Sequence, residues 1–159
     1  MNKKQLVDSI VQQIRAEMEL IATAARSAHE EATHDEERHE NQFDTPGLET
    51  SVLAEGQVKV AAELREAADA FRSLELKDFG PGEAISPGAL VETEVDGETT
   101  FYFVGPKAGG LEVEFNGHMV FVITPHSPIG HKLIGRRVGD VLAVAPGSTT
   151  RPLRIVAIR

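Results

Sequence analysis

Seven carboxylates crowd the stretch from His29 to Asp44: Glu30, Glu31, Asp35, Glu36, Glu37, Glu40 and Asp44. Their mutual repulsion is unfavourable unless a cation relieves it. Hard oxygen donors suit Mg²⁺, which typically takes one or two carboxylates beside phosphate and water. A Mg²⁺ held by such a set would acidify a bound water, which is the chemistry of hydrolysis. The bland reading of any acidic run is a solvated helix end whose charges serve solubility. The same stretch spells Glu31-x-x-His34 and Glu36-x-x-His39, the half-motif of di-iron bundles. That chemistry needs facing helices, whereas these two pairs lie five residues apart in one segment and point in different directions. His29, His34 and His39 are therefore read as surface residues.

Composition narrows the classes open to the chain. Its 159 residues allow one medium domain or two small ones, and two small units is the reading carried forward. With 41% hydrophobic residues it can bury a core, and seven Phe, one Tyr and no Trp make that core mostly aliphatic. Cysteine is absent, which excludes disulfides, thiolate catalysis and Cys-zinc sites and fits a reducing cytoplasm. A formal charge of −9 argues against general attraction to a nucleic-acid backbone, so any such contact must be local or guided by a partner. The first residues lead into a charged amphipathic pattern, so neither a signal peptide nor a membrane span is expected. Charge is also uneven. From His126 onward Asp140 is the only acid, against Lys132, Arg136, Arg137, Arg151, Arg154 and Arg159, so the acidic and basic ends are expected to do different jobs.

The elements that must position these groups are legible in the apolar spacing. Leu6, Ile10, Ile14, Met18, Ile21, Ala25 and Ala28 recur by threes and fours and predict one long helix with a single apolar stripe. Leu53, Val60, Leu64, Ala67, Phe71 and Leu74 predict a second helix with a narrow, coiled-coil type of seam. Two such stripes can only bury each other, as an antiparallel hairpin whose turn lies between His29 and Gly47. Thr45-Pro46-Gly47 reads as the restart of the second helix, with Thr45 as cap and Pro46 in the first turn. Gly and Pro in the segment 77–82 end that helix and mark a linker, giving a helical unit over 1–76 and a second unit over 83–159. Six strands are expected in the second unit, over 89–95, 99–104, 111–115, 119–124, 141–144 and 153–158. Asp96-Gly97 is a hairpin turn and a short helical piece falls at Ile129 to Leu133. The fold class is thus α+β, with a strongly twisted antiparallel sheet. Ser127 has no His-Asp arrangement nearby, so a nucleophilic role is not expected.

The segment Ser127-Pro128-Ile129-Gly130-His131-Lys132-Leu133-Ile134-Gly135, then Val138-Gly139-Asp140 and Ala145-Pro146-Gly147, resembles the C-terminal signature of the Gre transcription elongation factors. The resemblance extends to nearly the whole chain and implies that family's architecture, an N-terminal coiled-coil hairpin followed by an FKBP-like β domain. A prolyl isomerase is not implied, because fold does not carry function. The resemblance implies RNA polymerase as partner, with the β domain on the rim of the secondary channel and the hairpin reaching toward the catalytic Mg²⁺. It further implies a factor that is not itself an enzyme but stimulates cleavage of backtracked RNA. The alternative within the same likeness is a non-cleaving regulator or inhibitor that occupies the channel.

The family's tip motif, Gly-Asp-Leu-x-Glu-Asn, aligns through Glu55-Gly56 so that its Glu-Asn falls on Glu40-Asn41 and its Asp on Glu37. Glu36 stands where the family has Gly, and Gln42-Phe43-Asp44 replaces Ala-Glu-Tyr. By this carry-over Glu37 and Glu40 are the catalytic ligands of a Mg²⁺ shared with the polymerase, and no cofactor is bound stably. Partner contact is expected from Asn41, Ser127, Pro128, Ile129, Gly130, Lys132, Leu133, Gly135 and Arg136. Arg26, Arg38 and Lys59 are candidates for touching the nascent RNA 3′ end. A cytoplasmic monomer completes the expectation.

Overall fold

A computed structural model describes the backbone of residues 1–38, 45–144 and 150–159, and within these the side chains of 1–24, 26–27, 55–144 and 150–159. Helix α1 runs Lys3–Arg38 and helix α2 runs Thr45–Arg72. At ~1.5 Å per residue α1 is roughly 54 Å long. Asn2 caps it, its side-chain oxygen accepting from the N–H groups of Lys4 at 3.0 Å and Gln5 at 3.3 Å. Along α1 the buried side is Leu6, Val7, Ile10, Val11 and Ile14, continuing half-buried through Met18 and Ile21. Ala25, Ala28 and Leu53 of the expected stripes lie outside the described side chains.

On α2 the expected Ala67 and Phe71 are buried and Leu64 is half-buried, as is Leu74 just past its end, but Val60 does not join them. Ala68 is buried as well and Gln57 and Ala61 are half-buried, while Val60 is 44% exposed and Val58 59% exposed. Ala61 is thus more covered than its larger neighbour Val60. The Gln57 side-chain oxygen is buried and has no hydrogen-bond partner among the described residues.

The strands are β1 (Leu90–Val95), β2 (Glu98–Val104), β3 (Glu112–Phe115), β4 (His118–Ile123), β5 (Val141–Val144) and β6 (Arg151–Ile158), with helix α3 (Pro128–Leu133) between β4 and β5. They form one six-stranded sheet in the order β3-β4-β2-β1-β6-β5. Asp96 (φ 51°) and Gly97 (φ 82°) make the β1–β2 turn, both in the left-handed conformation that a tight hairpin requires. Contrary to the all-antiparallel expectation, β2 and β4 pair in parallel, with Phe101 opposite Val120 and Val104 opposite Ile123. The cause is the connection after β2. It does not turn back tightly but passes β4, to which Gly105 N–H (onto Ile123 O, 2.8 Å) and Gly110 N–H (onto Val122 O, 2.8 Å) tie it. β3 then lies at the edge and β4 fills the slot beside β2.

Both faces of the sheet are covered. One carries Leu90, Phe101, Phe103, Val120 and Val122, and the Phe71 ring stacks on Phe103 at 6.3 Å between centroids. The other carries Val91, Val104, Ile123, Leu153 and Ile155, closed by Ile85, Ile129 and Leu133. By its contacts the chain groups into two units, Met1–Ile10 with Ala70–Arg159, and Val11–Asp69. The two helix ends therefore belong to the sheet's unit. Lys3 is almost fully buried there, its ammonium donating to the carbonyls of Lys77 and Gly88 and lying 4.8 Å from the Phe79 ring centre. Among the described residues no helix is long and apolar enough to cross a membrane.

Candidate docking site

The segment from Thr124 to Asp140 is built as turn, helix and turn, and each piece is held by its own sequence. Ser127 caps α3: its hydroxyl accepts from Gly130 N–H at 3.1 Å and donates to Thr124 O at 2.8 Å. Pro128 occupies the first helical turn, where its missing N–H costs nothing. Gly130 is buried, and a Cβ there would overlap the Thr124 carbonyl. Leu133 is fully buried in the core under the sheet. After the helix, Gly135 N–H donates to Ile85 O at 2.9 Å and Ile85 N–H to Arg136 O at 2.8 Å, while the Asp140 carboxylate accepts from Arg137 N–H at 2.9 Å. These bonds hold the backbone of the segment, and the outward side chains are the chemical content of the face.

Those outward groups are Pro128, His131, Lys132, Arg136, Arg137 and Val138, the last 52% exposed, with Val141 of β5 at 59%. The Lys132 ammonium reaches Ala143 O at 3.3 Å. Beside α3 a groove of about 360 Å³ is lined by Val95, Tyr102, Pro128, Ile129, Lys132, Val144, Arg151 and Leu153. Burial pushes the Tyr102 phenol above the usual tyrosine value. Arg151 is paired with Asp96 at 3.2 Å, the first of three ion pairs along the β1–β6 border, continued by Arg154–Glu94 at 3.2 Å and Arg159–Glu92 at 3.1 Å. An apolar floor with cations at its rim suits a protein surface that offers apolar and acidic groups together.

Of the residues singled out in the sequence, Ser127, Pro128, Ile129, Gly130, Lys132, Leu133, Gly135 and Arg136 fall together in this one segment. Within it Lys132, Arg136 and Pro128 are exposed, Ile129 is half-buried, and Gly130 and Leu133 serve the core. Sequence reasoning missed the groove's other wall, Val95, Tyr102, Val144 and Arg151, which comes from four strands, β1, β2, β5 and β6. Arg26 and Lys59 are exposed on α1 and α2. Glu37 and Arg38 close α1, with side chains outside the described set, and Glu40 and Asn41 lie outside the described residues altogether. Among the described residues no group of three or more His, Cys, Asp or Glu is placed to hold a metal ion.

The fold is thus α+β, two long helices and a six-stranded β unit that carries an apolar and basic face. The model of the C-terminal domain of the transcription elongation factors GreA and GreB matches residues 81–159. The transcription inhibitor protein Gfh1 of Thermus thermophilus is 29% identical over 157 residues, covering 95% of this chain and 91% of that one. Gfh1 of Thermus aquaticus is 31% identical over 120 residues, 73% of this chain and 71% of that one. Transcription elongation factor GreA of Thermomicrobium roseum is 23% identical over 159 residues, 98% and 90% of the two chains. The chain belongs to the GreA/GreB family of transcription factors.

Proposed function

We propose that this protein binds RNA polymerase through the α3 face and inhibits transcription by occupying the secondary channel with its helical unit. The observation that carries the inhibitory reading is the 29% identity, over 95% of the chain, to a protein named as a transcription inhibitor. Two further features support it. The tip departs from the cleavage-factor motif at Glu36 and Glu37, and an added methylene at Glu37 moves a carboxylate that cleavage chemistry needs held closely. The helical unit is also poor in cations for holding an RNA 3′ end, with Arg26, Arg38 and Lys59 the nearest to the tip.

Stimulated cleavage is the second reading, favoured by Glu40-Asn41 matching the family motif and by the GreA relative. Glu37 and Glu40 are hard oxygen donors, which suits Mg²⁺. In that reading they complete the coordination of an ion shared with the polymerase, whose contribution is to acidify water. This chain's part would be to deliver and orient the two carboxylates, the polymerase keeping the active site. The test of the proposal is run-off transcription by purified bacterial polymerase with rising amounts of the factor, beside a direct binding measurement. A dose-dependent fall in product supports inhibition. Binding without any fall rejects it, and no binding rejects the partner.

A further inference from the structure

Gly105 sits directly after β2, its N–H fixed on Ile123 O at 2.8 Å. Its φ lies outside the positive range, so its backbone asks for no special residue. What glycine supplies here is space. A Cβ at this position would lie 2.5 Å from Cζ and 2.9 Å from Cε1 of Phe71, and 3.3 Å from Cγ1 of Val122. Neither side can easily give. The Gly105 backbone is tied to β4, and the Phe71 ring is 1% exposed between this slot and Phe103. Phe71 is the penultimate residue of α2 and falls, with Ala70 and Arg72, in the contact unit of the sheet. The ring is therefore the apolar attachment of the α2 terminus to the β unit.

We infer that Gly105 is a positioning residue for this factor: by omitting a side chain it keeps open the slot that receives Phe71 and so holds the end of α2 on the sheet. The functional half of the inference rests on the proposed channel-occupying role, since a helix whose base is loose delivers its far end less reliably. Gly105→Ala fills the slot, and Phe71→Leu removes the two ring atoms that the new methyl would strike.

The experiment measures amide hydrogen exchange and inhibition of transcription on the full-length chain as wild type, Gly105→Ala, and Gly105→Ala with Phe71→Leu. In Gly105→Ala, exchange at the amides of residues 70–74 is expected to speed up by about tenfold or more while β1 and β6 stay protected. The half-inhibitory concentration is expected to rise by a similar factor, and the double variant to recover most of both. Should Gly105→Ala alone fail to fold, recovery of a folded double variant is the same result in stronger form. Unchanged exchange in Gly105→Ala overturns the inference, as does a defect that Phe71→Leu leaves in place. A wild-type chain that does not inhibit polymerase overturns the proposed function instead, and leaves the exchange comparison intact.

Discussion

Replacing Gly130 by Ala tests how the docking segment is built. The new Cβ would overlap the Thr124 carbonyl oxygen and lie 2.7 Å from Ser127 Oγ. The Thr124 oxygen cannot withdraw freely, because it accepts from Ser127 N–H at 3.0 Å and from the Ser127 hydroxyl at 2.8 Å. Overpacking of this kind costs about 1–3 kcal/mol. Moving α3 aside to relieve it sacrifices the Ser127 cap, worth about 1 kcal/mol. Against this, Ala exceeds Gly in helix propensity by about 1 kcal/mol. The balance is a loss of roughly 1–3 kcal/mol, or a fall in melting temperature of about 2–12 °C at ~2–4 °C per kcal/mol for a chain of this size. Urea unfolding followed by circular dichroism reads the loss as a lower midpoint at unchanged slope. Polymerase binding should weaken as well, because Pro128 and Lys132 ride on the displaced helix. A Gly130→Ala chain as stable as wild type within ~0.5 kcal/mol would refute the packing argument, that being the ordinary range for a surface change.

Ser127→Ala leaves the Gly130 N–H without its side-chain acceptor and should cost about 0.5–2 kcal/mol in the same unfolding assay. Burial holds the Lys3 ammonium below the usual lysine value, a trend that Asp78 opposes and Lys77 reinforces. The unfolded chain therefore binds more protons at this site, so its contribution to stability improves as pH rises from below the folded pKa to the unfolded value of about 10.5 and levels off above it. Lys3→Met should abolish that increment in the difference between wild-type and variant unfolding curves, a subtraction that cancels the opposing titration of Tyr102; parallel curves would contradict it. At Glu83 the Gly80 N–H hydrogen bond and then Lys77 hold the carboxyl below its usual value, so its stabilisation is present above pH 4.5 and fades as pH falls. Glu83→Gln should flatten that acid limb. Glu94→Ala, which removes an exposed partner of Arg154, should cost no more than about 1 kcal/mol and less in high salt.

Much of the β unit was legible because local rules govern it. The Asp96-Gly97 turn, the β-branched runs and the Ser127-Pro128 start of α3 each fix an element within a residue or two. Strand neighbours were not legible, since apolar alternation says that a segment is a strand and which face it buries but not what lies beside it. The parallel β2–β4 pair follows from the path of the loop after Gly105, a three-dimensional fact. Val60 misled for a related reason: its spacing placed it on the apolar stripe, yet its neighbour Ala61 is the more covered of the two. The candidate docking segment is contiguous, Ser127 to Arg136, so its residues could be named along the chain. Its groove could not, because Tyr102, Val144 and Arg151 meet only across the sheet. Nothing along the chain marks Lys3 for burial; the carbonyls of Lys77 and Gly88 that receive its ammonium are brought to it only by the fold.

The most direct test of the account is a backtracked elongation complex. Purified RNA polymerase is stalled with end-labelled RNA, Mg²⁺ and the factor are added, and the RNA is resolved on a gel before and after nucleotides are restored. The account predicts RNA of unchanged length and slower resumption of synthesis, with Glu37→Gln and Glu40→Gln together leaving RNA length unaffected. Shortened RNA that disappears with that double substitution would contradict it and establish the chain as a cleavage factor.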